Sequence, residues 1–323
     1  MKVKLFTHTD LDGVGCAILG ELTFRNINIE YCDYHNINEK IKSFIDNKEY
    51  FDYDIIYITD ISVGEDVAKM IDSLCLFECF RLLDHHETAL WLNKYDWAKV
   101  EIIDEERNEK TSGTRLFYNE IKDKLEKSIK ETDNKTLSIR KSVDSIIQDV
   151  EIFVEIVNRY DTWLWYEKYN DNISKQWNDL LYILGKERFI NNVMDKIKNG
   201  MLFFDSSDTL VLALEQSKID NYILQKDKEL IVRNILGYKT GVVFAEQYHS
   251  ELGNKLSRIY PELDFITIIN LSKSISYRTT KEHIHLGNDV ATILGGGGHP
   301  KAAGNPISDE DRGKILKVLF KTV

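Results

Sequence analysis

Short apolar runs alternate with helically periodic segments through the first third of the chain. Residues 2–8 (KVKLFTH), 28–34 (NIEYCDY), 54–60 (DIIYITD) and 79–84 (CFRLLD) are compact and rich in β-branched and aromatic residues, and each predicts a strand. Between them, Gly13 to about Phe24, Ile37–Asn47 and Glu65–Leu74 carry apolar residues at helical spacing. The third strand is apolar on both faces, the mark of a parallel sheet covered by helices on either side. The expected class is therefore α/β, with a parallel-sheet N-terminal domain.

From about Thr111 to Met201 the pattern becomes helical, with SGTRLFYNEIKDKLEKSIK and SIIQDVEIFVEIVNRY as clear cases. The polar stretch between them, ETDNKTLSIRKSVDS (131–145), predicts a loop. DSSDTLVLALEQ offers caps before an apolar helix, which is expected to run on through QKDKELIVRNIL (225–236) as a connector. Strands return at KTGVVFA, DFITIINL and SISYRTT, followed by a glycine run and a final helix at DRGKILKVLF. The expected organisation is a first domain over 1–190, a helical linker over 191–230, and a smaller α/β domain over 231–323.

Composition narrows this reading. The chain has 323 residues, 43% hydrophobic and 29% charged, which fits two ordinary globular domains. The net charge of −11 argues against a large DNA-binding surface, though not against a small anionic substrate. The four cysteines, Cys16, Cys32, Cys75 and Cys79, form no CxxC pair and read as buried thiols in a reducing compartment. The opening residues do not read as a signal peptide and no apolar stretch is long enough to span a bilayer, so a cytoplasmic protein is expected.

The predicted strands end in acids and imidazoles. The first leads into HTDLDG, with His8, Asp10 and Asp12; the third ends at Asp60; the fourth ends in Asp84, His85 and His86. Singly, each has a plain structural explanation: Asp12-Gly13 as a turn, Asp60 as a helix cap, His8 as a structural histidine. Parallel strands, however, finish on one edge of the sheet, where ligands bind in open α/β folds. Oxygen and imidazole donors converging there suit Mn²⁺, with Mg²⁺ or Co²⁺ as alternatives, and a pair of such ions is a recurrent device for phosphoester chemistry.

These motifs resemble those of the DHH phosphoesterase superfamily over essentially the whole chain. That superfamily includes RecJ-type exonucleases, oligoribonucleases that degrade short RNA, cyclic-dinucleotide phosphodiesterases and manganese pyrophosphatases. HTDLDG looks like its first motif, Thr59-Asp60 its second, the Asp-His-His triplet its third, and NRYDTW with Asp161 its fourth. The resemblance implies that Asp10 and Asp12 each bind a different metal ion and that Asp60 bridges both. It implies that His85 and Asp161 complete the second ion's site, and that His86 faces the substrate phosphate with Asp84 orienting a histidine. His8 stands two residues before Asp10, whereas some members place this histidine four before it.

The run GGGGHPKAAG (295–304) allows backbone N–H groups to approach an anion, and it resembles the signature of the superfamily's associated C-terminal domain. That domain speaks against the pyrophosphatase branch. Gly296, Gly297, Gly298 and His299, together with Arg278, are the expected substrate-binding residues. Lys301 and Asn254 are weaker candidates, and Tyr277 and Trp163 are candidates for stacking on a base. The expected function is a metal-dependent phosphodiesterase that cuts short oligonucleotides through water activated by two Mn²⁺ ions and releases nucleoside monophosphates. Cyclic dinucleotides, linear dinucleotides or nucleoside bisphosphates are the alternative substrates, and a non-catalytic nucleotide sensor is a third reading. The expected partner is short RNA or a dinucleotide, with no membrane, and a homodimer is left open.

Overall fold

In the computed structural model, which describes residues 1–133 and 142–321, the early strands form close to where the apolar runs mark them. Strands β1 (Val3–Thr7), β2 (Ile27–Tyr31), β3 (Ile55–Thr59), β4 (Phe80–Asp84) and β5 (Ala98–Val100) form one sheet in the order β2-β1-β3-β4-β5. Every neighbouring pair is parallel. Helices α1 (Leu11–Thr23), α2 (Ile37–Asp46) and α3 (Glu65–Ser73) are the crossovers.

Alternation along the strands builds two cores. Val3, Leu5, Tyr57 and Leu83 pack on one side with residues of α1, α4 (Gly113–Asp133) and α5 (Val143–Asp161). Phe6, Ile56, Ile58 and Leu82 pack on the other with Ile37 and Ile41 of α2 and Val67 and Ile71 of α3. A side chain such as Phe6, fully buried, contributes about 1.5–3 kcal/mol through removal from water. The sheet is thus apolar on both faces, and its polar groups are left to the strand ends.

A hairpin of β6 (Ile103–Asp104) and β7 (Glu109–Lys110) precedes α4, and α6 (Leu164–Glu167), α7 (Ile173–Leu184) and α8 (Lys186–Lys198) follow α5. The loop expected within 131–145 lies, over residues 134–141, outside the described residues. The chain divides into compact units Met1–Leu212 and Ala213–Val323, within the long helix α9 (Ser206–Lys228). Val193, Met194 and Ile197 of α8 and Leu212 of α9 belong to the first unit's core.

The second unit contains β8 (Ile231–Ile235), β9 (Tyr238–Phe244), α10 (His249–Ile259), β10 (Phe265–Asn270), β11 (Ser274–Arg278), β12 (Gly297–Gly298), β13 (Ala302–Pro306) and α11 (Asp309–Phe320). Its sheet runs β12-β13-β11-β10-β9-β8 and is antiparallel except for β9 with β10. The connector helix is shorter than the periodicity predicts. It ends at Lys228, and the β-branched segment IVRNI pairs with β9 as an edge strand. The two-residue turn between them, Leu236-Gly237, has φ of 51° and 86°, the doubly positive geometry of a tight hairpin. Among the described residues, no helix is long and apolar enough to cross a membrane.

Candidate active site

Because β1, β3 and β4 are adjacent and parallel, their carboxyl ends bring HTDLDG, Asp60 and Asp84-His85-His86 to one edge. Asp10 caps α1, with Oδ1 accepting from the Gly13 amide at 3.1 Å. A Cβ at position 13 would come within 2.2 Å of the His8 carbonyl oxygen, so this turn requires glycine. Asp12, in the first turn of α1, is buried. Its carboxylate accepts from the first amides of α4, Gly113 N at 2.6 Å and Thr114 N at 2.8 Å. The positive end of α4 thus holds a negative charge inside the protein. Asp60 has a left-handed backbone, φ 58°, a strained conformation for a non-glycine residue of the kind that clusters at functional sites.

Among the described residues the donors fall into three overlapping groups: one joins Asp60 to Asp84, His85 and His86, and two further sets combine the remaining acids. His8, Asp10 and Asp60 present ligand atoms within 4.8 Å of one another, and so do Asp12, His85 and Asp161. Asp161 arrives from the last turn of α5 and Asp60 reaches toward both sets. Its Oδ1 is 3.3 Å from His85 Nε2 and its Oδ2 is 3.9 Å from His8 Nδ1. His85 Nε2 also lies 3.3 Å from Asp161 Oδ2 and 3.7 Å from Asp12 Oδ2.

The donors fit divalent cations on a direct physical test. Asp60 Oδ2, His85 Nε2 and Asp161 Oδ2 are buried with no hydrogen-bond partner, an arrangement that is costly unless something else satisfies it. Burial, and then the neighbouring carboxylates of Asp12 and Asp10, push Asp60 and Asp161 well above the ordinary carboxylate range. A bound cation reverses that repulsion and lets the carboxylates ionise together. Burial lowers the His85 pKa, which keeps its imidazole in the neutral form that coordinates metal. His8 Nδ1 donates to Asp10 Oδ2 at 2.8 Å, and that hydrogen bond raises the His8 pKa.

Asp84 and His86 are placed differently. Asp84 is fully buried, and its Oδ1 accepts from the His85 amide at 2.8 Å and pairs with His86 Nδ1 at 2.7 Å. Its Oδ2 accepts from the Ser62 hydroxyl. With both oxygens engaged, the carboxylate orients His86. Burial depresses the His86 pKa, but the hydrogen bond and charge of Asp84 outweigh it and the net shift is upward. His86 Nε2 meets the hydroxyl of Tyr34 at 3.1 Å.

Several contributors have no local signature in the sequence. Tyr34 and Ser62 reach the triplet from two other loops, and Gly113 and Thr114 reach Asp12 from α4. Asn158, buried in α5, accepts from Ser112 N at 2.8 Å and donates to Lys110 O at 3.2 Å, tying the segment before α4 to the helix that carries Asp161. A serine ahead of a periodic helix, as Ser112 stands before Gly113 and Thr114, marks a helix start in general but says nothing about which carboxylate that start will hold.

In the second unit, Arg278 ends β11 and lines a pocket of about 460 Å³ with Ser276, Gly297, Gly298 and Gly304. Its guanidinium donates to Tyr277 O and Ser250 Oγ, and its stem lies against Gly253, where a Cβ would come within 2.5 Å of Arg278 Cγ. The glycine run is less open than a free anion nest. The amides of Gly295, Gly296 and His299 donate to the carbonyls of Thr292, Ala291 and Ala302. A Cβ at Gly296 or Gly298 would strike β13, at 2.0 Å and 2.6 Å respectively. Within the run Gly295 and Gly297 face open space, and His299 is exposed outside the pocket lining. Lys301 is turned to Lys281 O and Glu282, and Asn254 is exposed on α10. Tyr277 is buried with its hydroxyl on Asn305, so it cannot stack on a base.

No protein-family model matches the chain. The sequence is 33% identical over 311 residues to oligoribonuclease NrnB of Bacillus subtilis (strain 168), spanning 95% of this chain and 73% of that protein. The fold is similar to that of a pGpG-specific phosphodiesterase, PggH from Vibrio cholerae, at a TM-score of 0.51 and 14% identity, covering 99% of this chain and 98% of that one. It is also similar to exonuclease RecJ bound to manganese, at a TM-score of 0.52 and 11% identity, covering 98% and 88%.

Proposed function

The chain belongs to the DHH phosphoesterase superfamily, and from that premise we propose that it is a divalent-metal-dependent phosphodiesterase that degrades short oligoribonucleotides to nucleoside monophosphates. The observation that carries this reading is the convergence of three buried, unpartnered donors, Asp60 Oδ2, His85 Nε2 and Asp161 Oδ2, on the carboxyl edge of the parallel sheet. The name of the Bacillus relative supports short RNA as the substrate class.

In this reading His8, Asp10 and Asp60 hold one ion, Asp12, His85 and Asp161 hold a second, and Asp60 is shared. Mn²⁺ is the proposed metal. The ions supply Lewis acidity, making water nucleophilic near neutral pH and offsetting charge on phosphoryl oxygens. The protein does the rest. The amides of Gly113 and Thr114 fix Asp12, so the second donor set does not have to be reorganised when substrate arrives. His86, whose pKa the hydrogen bond and charge of Asp84 raise, pairs through Nδ1 with that carboxylate and leaves Nε2, beside the Tyr34 hydroxyl, as the nitrogen that can donate a proton to a phosphoryl or leaving oxygen. Arg278 and the open edge at Gly297 offer a cation and an unobstructed backbone to a phosphate or sugar end. We place this activity in the cytoplasm.

The test is a panel of 5′-labelled RNAs of two, five and twenty-four nucleotides, a cyclic dinucleotide and polyphosphate, each incubated with Mn²⁺. Stepwise loss of the two shortest RNAs, abolished in Asp60→Ala, is the expected result. Turnover of the cyclic dinucleotide alone would move the protein to that substrate class. Nucleotide binding without turnover of any substrate would leave a sensor and refute the proposal.

A further inference from the structure

We propose that Trp163, backed by Trp165 and Tyr160, is a stacking platform for a nucleobase of the bound oligonucleotide; this deepens the phosphodiesterase reading above and rests on it. Trp163 follows the metal-donor residue Asp161 by two positions, so its Cα lies within about 7 Å of that of Asp161. The residue is 57% exposed. Behind it the aromatic side chains form a ladder. The Trp163 and Trp165 centroids are 6.0 Å apart with planes 29° apart, and Trp165 and Tyr160 are 6.4 Å apart with planes 19° apart. The Trp165 indole N–H is buried and has no acceptor, which leaves a donor beside the stack.

The backbone gives an independent reason to look here. Trp163 has φ 63° and ψ 7°, left-handed geometry between α5 and the four-residue helix α6. A bulky side chain is strained in this conformation, which Tyr248 and Leu236 also adopt in this chain, so it is the strain together with the exposure and the aromatic backing that distinguishes Trp163. The conformation is nonetheless locked. The Thr162 hydroxyl donates to Asn158 O at 2.6 Å, and the amides of Tyr166 and Glu167 donate to Trp163 O at 3.1 Å and 3.0 Å. A rigidly held, strained and exposed tryptophan beside a catalytic edge is better explained by what it binds than by what it packs.

Charge decides the kind of ligand contact. The protein carries a net charge of −11, and the site itself is lined with carboxylates. A polyanion gains little from long-range attraction here, so affinity for a short oligonucleotide has to come from local contacts. Stacking on a π-face provides it without charge and without choosing among bases.

The experiment uses the full chain with Trp163→Ala and Trp163→Phe. Calorimetry titrates adenosine monophosphate and ribose 5-phosphate, and initial rates give KM and kcat on an RNA dinucleotide with Mn²⁺. Expected for Trp163→Ala are an affinity for adenosine monophosphate about tenfold weaker, unchanged binding of ribose 5-phosphate, and a KM about tenfold higher with the effect falling on KM rather than kcat. Trp163→Phe should recover most of the loss, with melting temperatures alike in all three proteins. Equal affinity of wild type and Trp163→Ala for adenosine monophosphate, or an equal loss for both ligands, would overturn the proposal. If the wild type cleaves no oligonucleotide, the functional reading fails, while the adenosine monophosphate titration still decides the platform.

Discussion

Replacing Gly113 with alanine tests the geometry of the metal site through a single methyl group. The new Cβ would stand 2.6 Å from Asp60 Cβ, 2.9 Å from Asp60 Cα and 3.0 Å from Asp12 Oδ2. Non-bonded carbons settle at about 3.5–4.0 Å, so α4 and the loop carrying Asp60 must separate by roughly 1 Å. Gly113 does not have a positive φ, so alanine suits its backbone. Without the clash, the change would stabilise the protein by about 0.4–1 kcal/mol. Overpacking of this kind costs about 1–3 kcal/mol, which leaves a net loss on the order of 1 kcal/mol and a fall of a few degrees in Tm. The functional effect should be larger. Displacement by about 1 Å can cost roughly 100-fold, and here it falls on Asp60 or on the amide that holds Asp12. The assay is kcat/KM on an RNA dinucleotide across a Mn²⁺ titration, with thermal denaturation alongside. A variant with kcat/KM within twofold of wild type and a raised Tm would refute the contact between α4 and the metal donors.

Three further outcomes follow from the same geometry. Asp60→Asn should raise Tm in the metal-free protein, because burial and nearby carboxylates disfavour its charge, yet lose the stabilisation by Mn²⁺ that amounts to about 2.7 kcal/mol at 100 times Kd; a retained Mn²⁺ shift would exclude Asp60 as a ligand. Asn158→Leu strands Ser112 N and Lys110 O, and should cost about 1–3 kcal/mol in urea denaturation and weaken Mn²⁺ binding; an unchanged urea midpoint would rule out the bridge. In metal-free protein the raised pKa of His86 makes its contribution full below the unfolded value of about 6.5, and that contribution is lost as pH rises through the folded value. The lowered pKa of Asp84, held down by His86 against the effect of burial, makes its contribution present above about pH 4 and lost as pH falls through the folded value. The stability gap between wild type and Asp84→Asn should therefore be widest at about pH 4.5–6 and should narrow in more alkaline solution; a gap independent of pH would contradict the pairing.

The amino-acid sequence by itself determined the sheet and the chemistry at its edge. Strand propensity, apolar period and the ends of apolar runs are local properties, so β1, β3 and β4 could be read from a few residues each. In a parallel sheet their ends necessarily coincide, which brings Asp10, Asp12, Asp60 and the Asp84–His86 triplet to one edge. Asp161 was reached only by resemblance, since nothing local separates it from an ordinary helix-end acid. Tertiary structure decided what depends on distant partners or on exposure. Asp12 is held by amides 101 and 102 positions away, and His86 meets Tyr34 across 52. The segment after Lys228 became an edge strand because β9 was there to pair with it, against its helical period. Packing also separated two aromatic residues that look alike in sequence. It buried Tyr277 against Phe265 and Asn305 and left Trp163 exposed next to Asp161. A residue type announces which chemistry it can perform, but only the surrounding packing sets which of its atoms are desolvated, which are already paired, and which remain available to a ligand.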